Sequence, residues 1–126
     1  MEKGDSAKVL IVDDSSFMRN ILKDILVSNG FSRIYEAGDG PQAIESFKKH
    51  KPDLITMDLI MPGPDGLQVL KEILTIDKNA KIVMVTTMGQ DHVVKQAINL
   101  GAKDFVVKPF ESSKIVRVVE KVLTSS

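Results

Sequence analysis

The sequence predicts an α/β domain of the doubly wound kind, a five-stranded parallel sheet with helices over both faces. Two observations carry this expectation. Five short apolar runs rich in β-branched residues recur along the chain: Val9–Val12, Ile34–Ala37, Leu54–Met57, Ile82–Val85 and Phe105–Val107. Each is too short for a helix, and the lack of alternation predicts strands buried on both faces. Longer segments with apolar residues at helical spacing lie between them. Strict strand–helix alternation implies parallel strands joined by right-handed crossovers, which places helices on both sides of the sheet.

The helical segments follow in order. The first carries Phe17, Ile21, Leu22, Ile25 and Leu26 and stops at Gly30, a C-terminal cap residue. The second opens with Pro41 in its first turn and carries Ala43, Ile44 and Phe47. The third starts at Asp65, with Gln68 three positions on as a capping box, and runs through Leu67, Leu70, Ile73 and Leu74. The fourth carries Val93, Val94, Ala97 and Ile98 and ends near Gly101; the fifth carries Ile115, Val119, Val122 and Leu123. These stripes are ordinary core faces. His50 and His92 fall at helix ends and are expected to face solvent.

Composition bounds the function. The 126 residues suit one domain, expected to span 1–126 with no output domain. Seventeen basic and seventeen acidic residues cancel, which argues against attraction to nucleic acid or anionic membranes. Without cysteine there is no disulfide, thiolate metal site or thiol catalysis. No apolar run approaches the roughly 20 residues of a membrane span, and the polar start lacks a signal-peptide core. A cytoplasmic protein is expected.

The informative polar residues follow the strands. Asp13 and Asp14 come after the first, Asp58 after the third, Thr86 and Thr87 close the fourth, and Lys108-Pro109 follows the fifth. In open α/β sheets ligands bind outside the carboxyl ends of the strands, so these residues converge on one rim. Alone, each has a plain structural explanation. Asp-Asp-Ser after a strand is a common helix cap, Asp58 precedes the turn-forming Met61-Pro62-Gly63-Pro64, and a lysine in a loop is usually solvated. Together they place three carboxylates, a hydroxyl and a lysine at matched strand ends. Clustered carboxylates repel and call for a cation. Oxygen-only ligands with retained water suit Mg²⁺, with Mn²⁺ able to substitute. A carboxylate can also act as nucleophile toward phosphorus, with a lysine and a threonine hydroxyl as partners for the transferred oxygens.

These residues resemble the receiver domains of two-component response regulators, and the CheY-like stand-alone chemotaxis type in particular. The resemblance covers Lys8 to Leu123. It rests on Val-Asp-Asp-Ser at 12–15, Met-Asp-Leu-Ile-Met-Pro at 57–62 with Asp65-Gly66, Val-Thr-Thr at 85–87, and Gly-Ala-Lys-Asp-Phe-Val-Val-Lys-Pro-Phe at 101–110. It implies a flavodoxin-like sheet in the order 2-1-3-4-5 and phosphorylation of Asp58 by a histidine kinase or a small donor such as acetyl phosphate. Asp13, Asp14, Asp58 and the Ile60 carbonyl would hold Mg²⁺, with Asp13 acting mainly through water. Lys108 and Thr86 would contact the phosphoryl oxygens, and a cis peptide before Pro109 would aim Lys108 at the pocket. Thr86 and Phe105 would form the switch, changing the face made by the fourth helix, fifth strand and fifth helix so that it binds a downstream protein. That target would be a flagellar or archaellar motor component or an adaptor. An aspartyl-phosphate phosphatase is a further partner, and the unphosphorylated chain is expected to be a monomer.

Three departures from the chemotaxis pattern matter. Phe105 stands where tyrosine is found, Ile60 and Met88 are apolar where fast-hydrolysing members often carry polar side chains, and Pro64 stiffens the loop before the third helix. Ile60 and Met88 are expected to slow loss of the phosphoryl group. Two rival classes fit less well. A haloacid-dehalogenase-type phosphatase needs an Asp-x-Asp after the first strand, and a flavodoxin-like electron carrier needs a hydroxyl- and glycine-rich phosphate loop where this chain has two carboxylates. A receiver cut from a longer DNA-binding regulator is the third alternative.

Overall fold

A computed structural model describes residues 6–125. Five strands alternate with five helices: β1 (Lys8–Val12), α1 (Ser16–Ser28), β2 (Arg33–Ala37), α2 (Gly40–His50), β3 (Leu54–Met57), α3 (Gly66–Ile76), β4 (Ile82–Thr86), α4 (Asp91–Leu100), β5 (Asp104–Val107) and α5 (Ser112–Thr124). The strands pair in parallel in the order β2-β1-β3-β4-β5.

Strand periodicity divides the core in two. Leu10, Val12, Ile55, Met57, Ile82 and Met84 pack with Ala43, Phe47, Val69, Leu70, Ile73, Val93 and Ala97 of α2, α3 and α4. Val9, Ile11, Leu54, Val83, Val85 and Val106 pack with Leu22, Leu26, Ile115, Val119 and Val122 of α1 and α5. Both sheet faces are therefore covered, and β1, β3 and β4 are buried along almost their whole length.

The expectation of two-sided burial fails for the outer strands. In β2, Arg33 and Glu36 are exposed and Ile34 and Tyr35 half-buried; in β5 only Val106 is buried. An edge strand has a neighbour on one side only, and the crossover helices cover it incompletely.

Local signals explain the boundaries. Ser15 caps α1 by accepting the Met18 N–H at 3.1 Å. Gly30, one residue beyond the C-cap Asn29, adopts φ 96°, a left-handed conformation that costs glycine little. Asp39 caps α2 just before Pro41. Asp65 and Gln68 form a reciprocal capping box at α3, with bonds of 3.0 and 2.8 Å. His92 is exposed, but His50 is half-buried and stacks on Tyr35 with ring centroids 3.9 Å apart. The half-open edge strand β2 supplies that aromatic surface. No helix among the described residues is long and apolar enough to cross a membrane.

Candidate functional site

Alternation along the strands sets the direction of each polar side chain. Asp13 continues the register of Val9 and Ile11, Asp58 that of Leu54 and Thr56, and Lys108 that of Val106, so all three lie on the α1/α5 side. Thr86 and Phe105 share register with Met84, toward the α2–α4 side. Parallel pairing brings β1 and β3 side by side and leaves their carboxyl ends level: Asp13 N–H donates to the Ala37 carbonyl and Asp58 N–H to the Val12 carbonyl.

Carboxylate oxygens of Asp13, Asp14 and Asp58 lie within 4.8 Å of one another. Asp13 and Asp58 are 2% and 8% exposed, whereas Asp14 faces solvent. The Lys108 ammonium bridges the two buried carboxylates, at 2.7 Å from Asp13 Oδ2 and 3.0 Å from Asp58 Oδ2. The Lys108–Pro109 peptide bond is cis.

One ammonium serving two buried carboxylates leaves a charge imbalance. Burial raises the Asp13 carboxyl above its ordinary range, and the hydrogen bonds from Lys108 and the Ser15 N–H offset this only in part. Burial also pulls on Lys108, in the downward direction, but its bonds to Asp13 and Asp58 outweigh it and hold the ammonium above its ordinary value. The pair responds unequally because the lysine has two anionic partners and Asp13 shares one cation.

Of the remaining expected residues, Ile60, Thr86 and Met88 lie at or just beyond strand ends, and Phe105 lies within β5. Ile60 is 53% exposed, and its N–H donates to Asp58 Oδ1 at 3.3 Å. Thr86 is fully buried, with its hydroxyl accepting the Met88 N–H at 3.4 Å; among the described residues no hydrogen bond joins it to the carboxylates. Met88 and Phe105 are half-buried and pack against the core under α2, α3 and α4. Thr86 and Phe105 thus lie on the other side of the sheet from Lys108.

Two residues tighten the site in ways the sequence left open. A Cβ on Gly66 would fall 2.2 Å from the Asp58 carbonyl oxygen, so glycine is what allows α3 to begin against the Asp58 backbone. Arg19 reaches from α1 to the Asp13 carbonyl, at 2.6 Å, and to Glu36 on β2, at 3.0 Å. The Asp-Gly pair was visible as a motif. Arg19 gave no signal, since a basic residue one turn into a helix is usually a solvated one.

The donor set fits a hard divalent cation. Three carboxylates converge from two adjacent strand ends with no nitrogen or sulfur ligand among them, and exposed Asp14 leaves one side open to water. Such a group, with a lysine bridging two of its carboxylates, can hold a cation and orient a tetrahedral anion.

The family of response regulator receiver domains matches residues 9–120, and the chain belongs to it. Among its relatives, the chemotaxis protein CheY of Bacillus subtilis (strain 168) is 52% identical over 116 residues, covering 92% of this chain and 97% of that protein. CheY of Thermotoga maritima is 50% identical over 115 residues, 91% and 96% of the two chains. The backbone superposes with a TM-score of 0.91 on a crystal structure of the CheX-CheY-BeF3-Mg²⁺ complex from Borrelia burgdorferi, at 39% identity over 94% of this chain and 90% of that one.

Proposed function

We propose that this chain is a phosphoacceptor switch of chemotaxis signalling, phosphorylated on Asp58 in a Mg²⁺-dependent reaction. The observation that carries the proposal is the Asp13–Asp58–Lys108 triangle beside exposed Asp14 at the carboxyl ends of β1, β3 and β5. Asp13, Asp14, Asp58 and the Ile60 carbonyl would hold the ion, which, when bound, neutralises charge on the phosphoryl oxygens.

An Asp58 carboxylate oxygen attacks phosphorus while the bond to the donor breaks, the donor being a kinase phosphohistidine or acetyl phosphate. Lys108 moves from pairing two carboxylates to pairing the phosphoryl group, and Thr86 turns its hydroxyl from the Met88 N–H to a phosphoryl oxygen. Phe105, in the same register, follows Thr86. The surface of α4, β5 and α5 then binds a target protein, a motor component or adaptor. A solved neighbour crystallised with CheX, BeF3 and Mg²⁺ supports a metal, a phosphoryl-like group and a partner protein on a receiver of this shape. Similarity to CheY proteins over nearly their full length supports chemotaxis as the pathway.

Intact-mass spectrometry after incubation with acetyl phosphate and Mg²⁺ tests the assignment. One added phosphoryl group is expected on the wild type and none on Asp58→Asn or in chelator. Stable modification of Asp58→Asn would refute it.

A further inference from the structure

Asp14 is the loosely held member of the acidic group. Asp13 is engaged at every polar atom: its N–H by the Ala37 carbonyl, Oδ1 by the Ser15 N–H, Oδ2 by Lys108 and its carbonyl by Arg19. Asp58 is held by Lys108 and the Ile60 N–H through its side chain and by the Val12 carbonyl through its backbone. Asp14 is exposed, and among the described residues its carboxylate accepts no hydrogen bond. Its place relative to the other two depends on the Asp13–Asp14 peptide.

The oxygen of that peptide is the one Arg19 Nη1 grips at 2.6 Å. Arg19 is itself fixed. Its Nε donates to Glu36 Oε1 at 3.0 Å, its side chain is 19% exposed, and a Cβ on Gly38 would come within 3.4 Å of Nη1. The guanidinium therefore sits in a slot between α1, the end of β1 and the β2–α2 connection, with little freedom to move.

We propose that Arg19 is a positioning residue for the divalent-cation site, clamping the Asp13–Asp14 peptide so that the Asp14 carboxylate stays within bridging reach of Asp13 and Asp58. This rests on reading the three carboxylates as that cation's ligands. Groups that orient metal ligands from behind commonly change affinity by about tenfold or more when removed. Glu36 orients Arg19 in turn and touches none of the ligands. The competing role is a strut: an Arg19–Glu36 ion pair that merely ties α1 to β2 would affect folding and leave metal affinity alone.

Mg²⁺ titration of the whole chain by calorimetry, with metal-free melting in parallel, separates the two. Arg19→Met is expected to weaken Mg²⁺ binding about tenfold. Arg19→Lys should recover part of that loss, because an ammonium can reach the Asp13 carbonyl but not the carbonyl and Glu36 together. Glu36→Gln should stay within about twofold of wild type, because its amide oxygen still accepts from Nε. An unchanged dissociation constant in Arg19→Met, with or without a lower melting temperature, overturns the proposal. So does an equal loss in Glu36→Gln, which would assign the effect to the ion pair. Should Arg19→Met not fold, Arg19→Lys decides: wild-type affinity, at a lower melting temperature, identifies a strut. Failure of the wild type to bind Mg²⁺ refutes the cation site itself, a result distinct from all of these.

Discussion

Asp13→Asn probes the site's charge balance: it removes one charge from the acidic group and keeps an oxygen for the Ser15 N–H, while the amide nitrogen that replaces Oδ2 gives up the hydrogen bond from Lys108. Asp13 and Asp58 carboxylate oxygens lie within 4.8 Å. At an effective dielectric constant of about 20 their repulsion is about 3.5 kcal/mol. Lys108, at 2.7 Å, returns about 6 kcal/mol on the same scale. Dehydrating a carboxylate that is 2% exposed costs several kcal/mol more, which leaves the charged side chain a net burden on the order of 1–2 kcal/mol. The raised Asp13 carboxyl has the same sign. Lys108 keeps Asp58 at 3.0 Å when Asp13 is neutralised, so no cation is stranded.

In chelator at neutral pH, Asp13→Asn is therefore expected to melt about 5 °C above wild type. The pH dependence has a definite direction. A carboxyl raised in the folded state contributes stability that is fully present below its unfolded value of 3.8 and is lost as pH rises through the folded value. The variant's advantage should grow over that rise and then level off. Saturating Mg²⁺ should reverse the order, because 100-fold excess over the dissociation constant adds about 2.7 kcal/mol to wild type and less to a protein missing one ligand. Thermal melts in chelator and in Mg²⁺ are sufficient. A metal-free variant no more stable than wild type would refute the charge argument.

Three further perturbations address the switch and the site. Thr86→Ala is expected to leave phosphorylation by acetyl phosphate nearly intact while reducing the phosphorylation-dependent gain in target affinity, and an equal gain in both proteins would refute the coupling. Ile60→Asn with Met88→Glu is expected to speed phosphoryl loss after donor removal by one to two orders of magnitude, because polar side chains can orient the attacking water; an unchanged rate in a folded double variant leaves both as packing residues. Gly66→Ala is expected to cost roughly 1–3 kcal/mol in urea unfolding and to slow phosphorylation, because backbone atoms of Asp58 and Leu59 must yield to the new methyl group. Wild-type values for both would show that α3 shifts without consequence.

The central strands and helix starts were readable because their causes are local. Ile82–Val85 is a continuous apolar run, Leu54–Met57 is interrupted only by Thr56, and Asp65 with Gln68 caps a helix through neighbours three positions away. The rim position of Asp13, Asp14, Asp58 and Lys108 was readable because parallel strands end at one edge. Contacts set by tertiary packing were not. Ile34 and Tyr35 look like interior residues until β2 is known to lie at an edge, and His50 looks solvated until Tyr35 is found beneath it. How one ammonium is shared between Asp13 and Asp58, 95 and 50 residues from Lys108, depends on distances that no spacing encodes. Arg19 is the same case, since its carbonyl partner lies off its helix, just past the end of β1.

Strand β5 and the residue just after it carry two side chains with opposite allegiances. Lys108 points to the carboxylates and Phe105, three residues earlier, to the core on the far side of the sheet. Three residues of extended chain span about 10 Å. In the proposed switch, the message from phosphate to output surface therefore need not pass through the interior. It can travel the length of one short edge strand, half-open to solvent, whose surface belongs to the proposed readout face. On this wiring, stiffening or loosening β5 would change how faithfully the state of Asp58 is reported without altering how readily Asp58 is phosphorylated.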